Sequence, residues 1–184
     1  RRFGIAFSEW EAEMLWYGPS QSRATIMDRH NIDPDPFWDA FHEVEQPERR
    51  AAASHLYADT EQFVQSIDRP VGVVTHCQEF LTEPVLDRLD IRDWFDTVVC
   101  CSDETGWKPD PTPLELAMSD LGVRNSGQGV LVGDDPSDVG AAWNAGLTGI
   151  HIQRRDPERV GQCVRGDRRV GSLTELQELS NRTA

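Results

Sequence analysis

The chain has 184 residues, and 38% of them are hydrophobic, enough to bury a core and set aside a disordered chain. Thirty-two acids face 18 bases, a formal net charge of −14 that repels phosphate backbones and anionic lipid and argues against nucleic acid or a membrane as a partner. No apolar run approaches the ~20 residues of a membrane span, and nothing at the N-terminus reads as a secretory signal.

Lys108 is the only Lys; every other base is Arg. An acid excess with almost no Lys suits a salt-loading halophile, where molar salt screens the self-repulsion. The four Cys are Cys77, Cys100, Cys101 and Cys163, and none forms a Cys-x-x-Cys pair. They read as reduced thiols in a cytoplasm, and no His/Cys set has zinc spacing.

The chain divides near residue 68. Before it, helical signals dominate. Arg1-Arg2-Phe3-Gly4-Ile5 reads as a helix ending, with bases in the last turn and Gly after it. A helix is expected over 20–30, capped by Ser20 or Ser22 and closed by Asn31-Ile32. Another is expected over 34–45, with Phe37, Trp38, Phe41 and Val44 on one face. A third is expected over 47–67, with Leu56, Phe63 and Ile67 on its apolar side. The aromatic residues here stand at helical spacing, which favours core packing over a ligand cage.

After residue 68 the rhythm becomes strand, loop, helix. Strands are expected over 71–75, 97–101, 129–132 and 149–152, with helices over 80–89, 113–121 and 137–145 between them. That alternation implies an α/β fold, a Rossmann-like three-layer core with a parallel sheet, plus a helical cap. Ligands of such sheets bind at the carboxyl ends of the strands.

Each strand end offers a polar group. The first gives Val73-Val74-Thr75-His76, the second leads to Trp107-Lys108-Pro109-Asp110-Pro111, and the third ends in Gly133-Asp134-Asp135-Pro136-Ser137-Asp138. A hydroxyl, a cation and a carboxylate cluster suit a phosphoryl group held beside Mg²⁺, which prefers hard oxygen ligands. Ser137 is a candidate cap for the following helix, whose N-terminus favours an anion. Taken singly, Thr75 is an ordinary strand-end hydroxyl and Asp134-Asp135 an ordinary turn.

In this order Thr75, Lys108-Pro-Asp-Pro, and Gly133-Asp134-Asp135-x-x-Asp138 with Ala141-Ala142 and Ala145-Gly146 resemble motifs II, III and IV of haloacid dehalogenase-like (HAD) hydrolases. The resemblance spans roughly 68–180, includes the Gly171-Ser172-Leu173-x-Glu-Leu ending, and looks nearest to the phosphoglycolate-phosphatase-like branch. It implies a small phosphorylated substrate, with Thr75 bonding the phosphoryl oxygens and Lys108 orienting the nucleophile and offsetting its charge. It further implies Asp134 on Mg²⁺, with Asp138 binding the ion or ordering its waters. His76, beside Thr75, becomes a candidate substrate contact, although the family often has a small or amide residue there.

Motif I, the family's Asp-x-Asp-Gly-Thr nucleophile strand, is absent from these 184 residues. The expected organisation is therefore 1–67 as an incomplete helical cap and 68–184 as a core without its first strand. The chain alone is expected to be inactive, the nucleophile lying upstream. Alternatives are a non-catalytic binding protein of the same fold or a 2-haloacid dehalogenase, which lacks a metal and has no use for the acids at 134–138. A receiver domain carries its acids earlier in the chain, and adjacent His76–Cys77 make a poor nucleophile pair. Oligomeric state stays open.

Overall fold

A computed structural model describes residues 2–18, 20–123, 129–154 and 165–181; Cys163 lies outside them. The described residues fall into two compact units, one within 1–45 and one formed by 46–154 and 165–181.

The first unit is helical. Helix α1 (Glu9–Tyr17) begins at a reciprocal cap: Ser8 Oγ accepts the Glu11 N–H at 3.2 Å, and Glu11 Oε2 accepts the Ser8 N–H at 2.9 Å. Helix α2 (Ser20–Arg29) closes as expected: Asn31 is left-handed at φ 53° and Ile32 N–H returns to the Met27 carbonyl. Helix α3 (Pro34–His42) starts from the Asp33 cap with Pro34 at its first position, where a missing N–H costs nothing. Met14, Leu15, Ile26, Met27, Ile32 and Phe37 form the core, with Ile5, Phe7 and Trp38 against it. Phe37 meets the rings of Phe3, Phe7, Trp38 and Phe41, so the aromatic residues at helical spacing pack on one another.

Buried Glu11 joins α1 to α2 by bonding His30 Nε2 at 2.8 Å. The Ser8 N–H, then His30 and the Ser8 hydroxyl, hold its carboxyl down from 4.5 to about 2. A folded pKa below the unfolded one gives stability that is complete above about 4.5 and lost as pH falls toward about 2. An acid titration followed by circular dichroism is expected to show α1–α2 weakening in that window. Glu11→Gln is expected to flatten that part of the curve, and an unchanged acid limb in the variant would contradict the assignment.

The second unit opens with α4 (Pro47–Ala53) and α5 (Thr60–Gln65), where a single helix over 47–67 was expected. A distant ion pair breaks it. Both Asp59 oxygens accept from Arg154 Nη2 at 2.8 Å, Oδ2 also takes the Leu173 N–H, and the guanidinium lies 4.4 Å from the Tyr57 ring centre. Burial pushes the Asp59 carboxyl up, but the Arg154 and Leu173 bonds outweigh it and leave it lowered. Since α4 packs on the helix Glu79–Leu89 and α5 on the helix Leu173–Asn181, the compact units divide after residue 45, whereas the sequence divides near 68.

The rest alternates as anticipated through β1 (Gly72–Thr75), α6 (Glu79–Leu89), a short 3₁₀ turn (Arg92–Trp94), β2 (Thr97–Cys100), α7 (Thr112–Asp120), β3 (Val130–Gly133), α8 (Pro136–Asn144) and β4 (Thr148–Ile152), and goes on to β5 (Arg168–Val170) and α9 (Leu173–Asn181), which were not among the expected elements. All strand pairs are parallel, so this unit is an α/β Rossmann-like core. The strands form two sheets, β1–β2 and β3–β4–β5, and among the described residues β1 and β3 each pair on one edge. Burial follows that split. Three consecutive residues of β4 are buried, while β1 and β3 each have an exposed first residue followed by three half-buried ones, and Val130 is 54% exposed. One apolar cluster still spans both sheets: Leu114 of α7 and Ala141 and Ala145 of α8 pack with Val74 of β1 and Leu131 of β3.

Candidate active site

Thr75 ends β1. Its Oγ1 accepts the Cys77 N–H at 3.0 Å, which turns the chain and leaves the hydroxyl proton to donate elsewhere. His76 follows, its ring edge-to-face with Trp107 at 5.6 Å. Cys77, Cys100 and Cys101 carry no disulfide.

The loop after β2 is built to hold Lys108. Thr105 Oγ1 donates to the Cys100 carbonyl at 2.9 Å and accepts the Ser102 N–H at 2.8 Å, while Gly106 N–H closes on the Ser102 carbonyl. Lys108 is then led inward, its side chain 8% exposed. The ammonium donates to the Val74 carbonyl at 3.0 Å and to Asp138 Oδ1 at 2.6 Å. Thr75 and Val71 carbonyls bond toward β2, so by strand alternation the Val74 carbonyl lies on the other, unpaired edge of β1. One cation thus bridges the open edge of the first sheet to the acidic loop that follows the second.

That loop is ordered by its own acids. Asp135 is the N-cap of α8, accepting the Ser137 N–H at 2.8 Å and the Ser137 hydroxyl at 2.6 Å. Ser137 therefore does not cap the helix as the sequence suggested; it stands inside the first turn, at the second helical position, and its hydroxyl donates to the true cap. Asp138 closes the reciprocal box by accepting the Asp135 N–H on Oδ2 at 3.0 Å. Its carboxylate folds over Gly133, where any Cβ would collide with it. Gly140 lets α8 pass close to Pro109, and Asn144 Nδ2 donates to the Pro109 carbonyl at 2.8 Å, fixing helix and Lys loop together.

Thr75, Lys108 and Asp138 are thus brought to one edge, with His76 beside Thr75. Asp134 stands one residue beyond β3 with an exposed side chain. Both Asp138 oxygens are engaged, so it suits an orienting role better than direct coordination of an ion. Among the described residues no three or more His, Cys, Asp and Glu side chains gather as a metal cluster. The donors present are hard oxygens, one exposed carboxylate and a hydroxyl, a set that fits Mg²⁺ because that ion keeps several waters and takes one or two carboxylates.

Three contributors had no role assigned from the sequence. Asp135 sits in Asp-Pro-x-Asp, a readable N-cap signature. Thr105 bonds back across a turn. His151 of β4 is opposite Gly133 and buried; burial, then the nearby Arg169, lowers its imidazole pKa, against the opposing pull of the Asp134 backbone and carboxylate.

The sequence profile of the haloacid dehalogenase-like hydrolases matches residues 16–152. The chain is 31% identical over 129 residues to the phosphoglycolate phosphatase of Neisseria meningitidis, covering 66% of this chain and 54% of that one. It spans about half or less of the length of the curated relatives it matches. A solved structure from Lactobacillus plantarum, provisionally named a phosphoglycolate phosphatase, superposes with a TM-score of 0.76 at 20% identity, over 97% of this chain and 85% of that one. L-2-haloacid dehalogenase from Xanthobacter autotrophicus superposes with a TM-score of 0.64 at 17% identity, over 95% and 85%. At these identities the two structures speak for the fold alone. By the profile match, which covers β1 to β4, the Lys loop and the acidic loop together, the chain belongs to the haloacid dehalogenase-like hydrolase family.

Proposed function

We propose that this chain is the phosphoryl-holding half of a Mg²⁺-dependent phosphatase acting on small phosphomonoesters of about the size of phosphoglycolate. The observation that carries the reading is the Lys108 ammonium, shared between the open edge of β1 beside Thr75 and the acidic loop at Asp138. There it would offset the charge of a phosphoryl group and of an attacking carboxylate. The Thr75 hydroxyl donates to a phosphoryl oxygen, and the N-terminus of α8 adds a field that favours an anion. His76 lines the approach to the substrate.

Asp134 is the residue to hold Mg²⁺, with Asp138 ordering Lys108 and the waters about the ion. Bound Mg²⁺ neutralises charge on the phosphoryl oxygens. The nucleophile is a carboxylate on a strand lying between β1 and β3 and contributed from outside these 184 residues. It attacks phosphorus as the ester P–O bond breaks, the second Asp of that strand gives its proton to the departing alkoxide, and the same residue then takes a proton from the water that attacks phosphorus, releasing inorganic phosphate and restoring the carboxylate. The helical segment before the core acts as the cap, and the net charge of −14 suits a salt-rich cytoplasm without nucleic-acid or membrane partners.

A dehalogenase would share the fold, but an exposed Asp134 beside an ordered acidic loop serves a metal-assisted phosphatase better. Mn²⁺, a spectroscopic substitute for Mg²⁺, tests this by electron paramagnetic resonance titration of the chain. Asp134→Asn is expected to weaken Mn²⁺ binding at least ~10-fold, since even groups that only orient metal ligands cost that much. Wild-type affinity in the variant would refute the metal assignment.

A further inference from the structure

The two residues that carry the phosphoryl reading each have a large flat ring as a chain neighbour. Trp107 precedes Lys108, and His76 follows Thr75. The rings meet with centroids 5.6 Å apart and planes at 62°, joining the loops after β1 and β2 at the carboxyl edge of the sheet. Trp107 is also fixed at its other end, where Nε1–H donates to Asp103 Oδ1 at 2.9 Å across the turn closed by Gly106. Yet the indole is 41% exposed. A large apolar ring that is held at two points and left open to solvent adds little to the core, and a preorganised aromatic surface beside polar anchors is how small-molecule sites fix orientation.

Charge narrows what such a surface accepts. The three loops at 76–78, 102–111 and 134–138 hold the acids Asp103, Glu104, Asp110, Asp134, Asp135 and Asp138 against the single base Lys108. That base is already bonded to Asp138. A leaving group bearing its own carboxylate would bring a further negative charge among like charges, whereas a neutral planar one meets the indole without that cost.

We infer that Trp107 is a specificity-determining residue: with His76 it forms a wall that receives the leaving group and favours neutral, planar phosphomonoesters, aryl or heterocyclic, over carboxylated ones such as phosphoglycolate. This rests on the phosphoryl site proposed above and narrows its substrate class.

Binding to the 184-residue chain with Mg²⁺ tests it, followed by ³¹P line broadening for inorganic phosphate, phenyl phosphate and 2-phosphoglycolate in turn. Phenyl phosphate is expected to bind more tightly than 2-phosphoglycolate by up to roughly ten-fold, the scale of one aromatic contact. Trp107→Leu keeps apolar volume without the flat ring, and is expected to bring the ratio of phenyl phosphate to inorganic phosphate affinity toward one. Trp107→Phe is expected to keep most of that ratio, and circular dichroism of both variants checks the fold. Equal or tighter binding of 2-phosphoglycolate, or an unchanged ratio in Trp107→Leu, overturns the inference. No binding of inorganic phosphate by the wild type overturns the phosphoryl site itself, and the inference with it.

Discussion

Lys108→Ala is expected to cost the α/β unit about 3–5 kcal/mol and, in an enzyme completed by its nucleophile, ~10²–10³ in kcat. The stability loss follows from burial. The Lys108 and Asp138 side chains are only 8% and 10% exposed, so removing the ammonium strands a carboxylate and the Val74 carbonyl together. Coulomb attraction alone is a poor guide here, because desolvating the pair offsets much of it; the cost lies in leaving one partner behind. Lys108→Ala combined with Asp138→Ala is therefore expected to lose less than the sum of the two single variants, which urea denaturation of the four proteins measures.

The kinetic loss has a separate cause. A preorganised cation is worth more where charge develops than in the resting protein, so kcat should fall more than substrate affinity. Lys108→Arg should restore part of both losses, because a planar fork cannot meet the Val74 carbonyl and Asp138 Oδ1 as a compact ammonium does. Steady-state kinetics on a generic phosphomonoester with Mg²⁺ at high salt separates the two effects. A Lys108→Ala protein with wild-type stability and turnover would make this residue a surface leftover.

Much of this was legible from the chain because the deciding signals are local. Four β-branched runs separated by helical stretches gave the parallel α/β core to within a residue or two at most strand ends. The order Thr75, Lys108, Asp134, Asp138 named residues at the end of β1, in the loop after β2 and in the loop after β3, whose joint role as a site is the proposal. Asn31-Ile32 announced the end of α2 because a left-handed residue followed by an apolar one is a short-range device.

What stayed hidden depended mostly on partners far along the chain. The break between α4 and α5 is made by Asp59 with Arg154, 95 residues away, and local propensity over 47–67 says nothing of it. Strand β5 has three residues, two of them exposed Arg, so it carries no apolar alternation and exists through pairing with β4. The Val74 carbonyl as a partner of Lys108 follows from strand register, which no motif encodes. Two omissions were readable. Ser8-x-x-Glu11 is a capping signature that announces α1, and Asp135-Pro136 announces α8 more clearly than Ser137 does.

The largest effect expected of all is a gain of activity. Among the described residues β1 and β3 each pair on one edge only, three residues of each are half-buried where three of β4 are buried, and Lys108 reaches from the open edge of β1 to Asp138 in the loop after β3. A parallel strand between them would pair both edges, cover Val74 and Leu131, and bring a carboxylate at its own carboxyl end next to Lys108 and Thr75. The most direct measurement is Mg²⁺-dependent hydrolysis of a phosphomonoester, made side by side on the 184-residue chain and on a protein extended at its N-terminus by an Asp-x-Asp strand. The extended protein is expected to turn over and lose that turnover when the first Asp becomes Asn, while the 184-residue chain gives none. Turnover by the 184-residue chain alone, or extended protein that folds and binds Mg²⁺ without hydrolysing any phosphomonoester, would contradict the account.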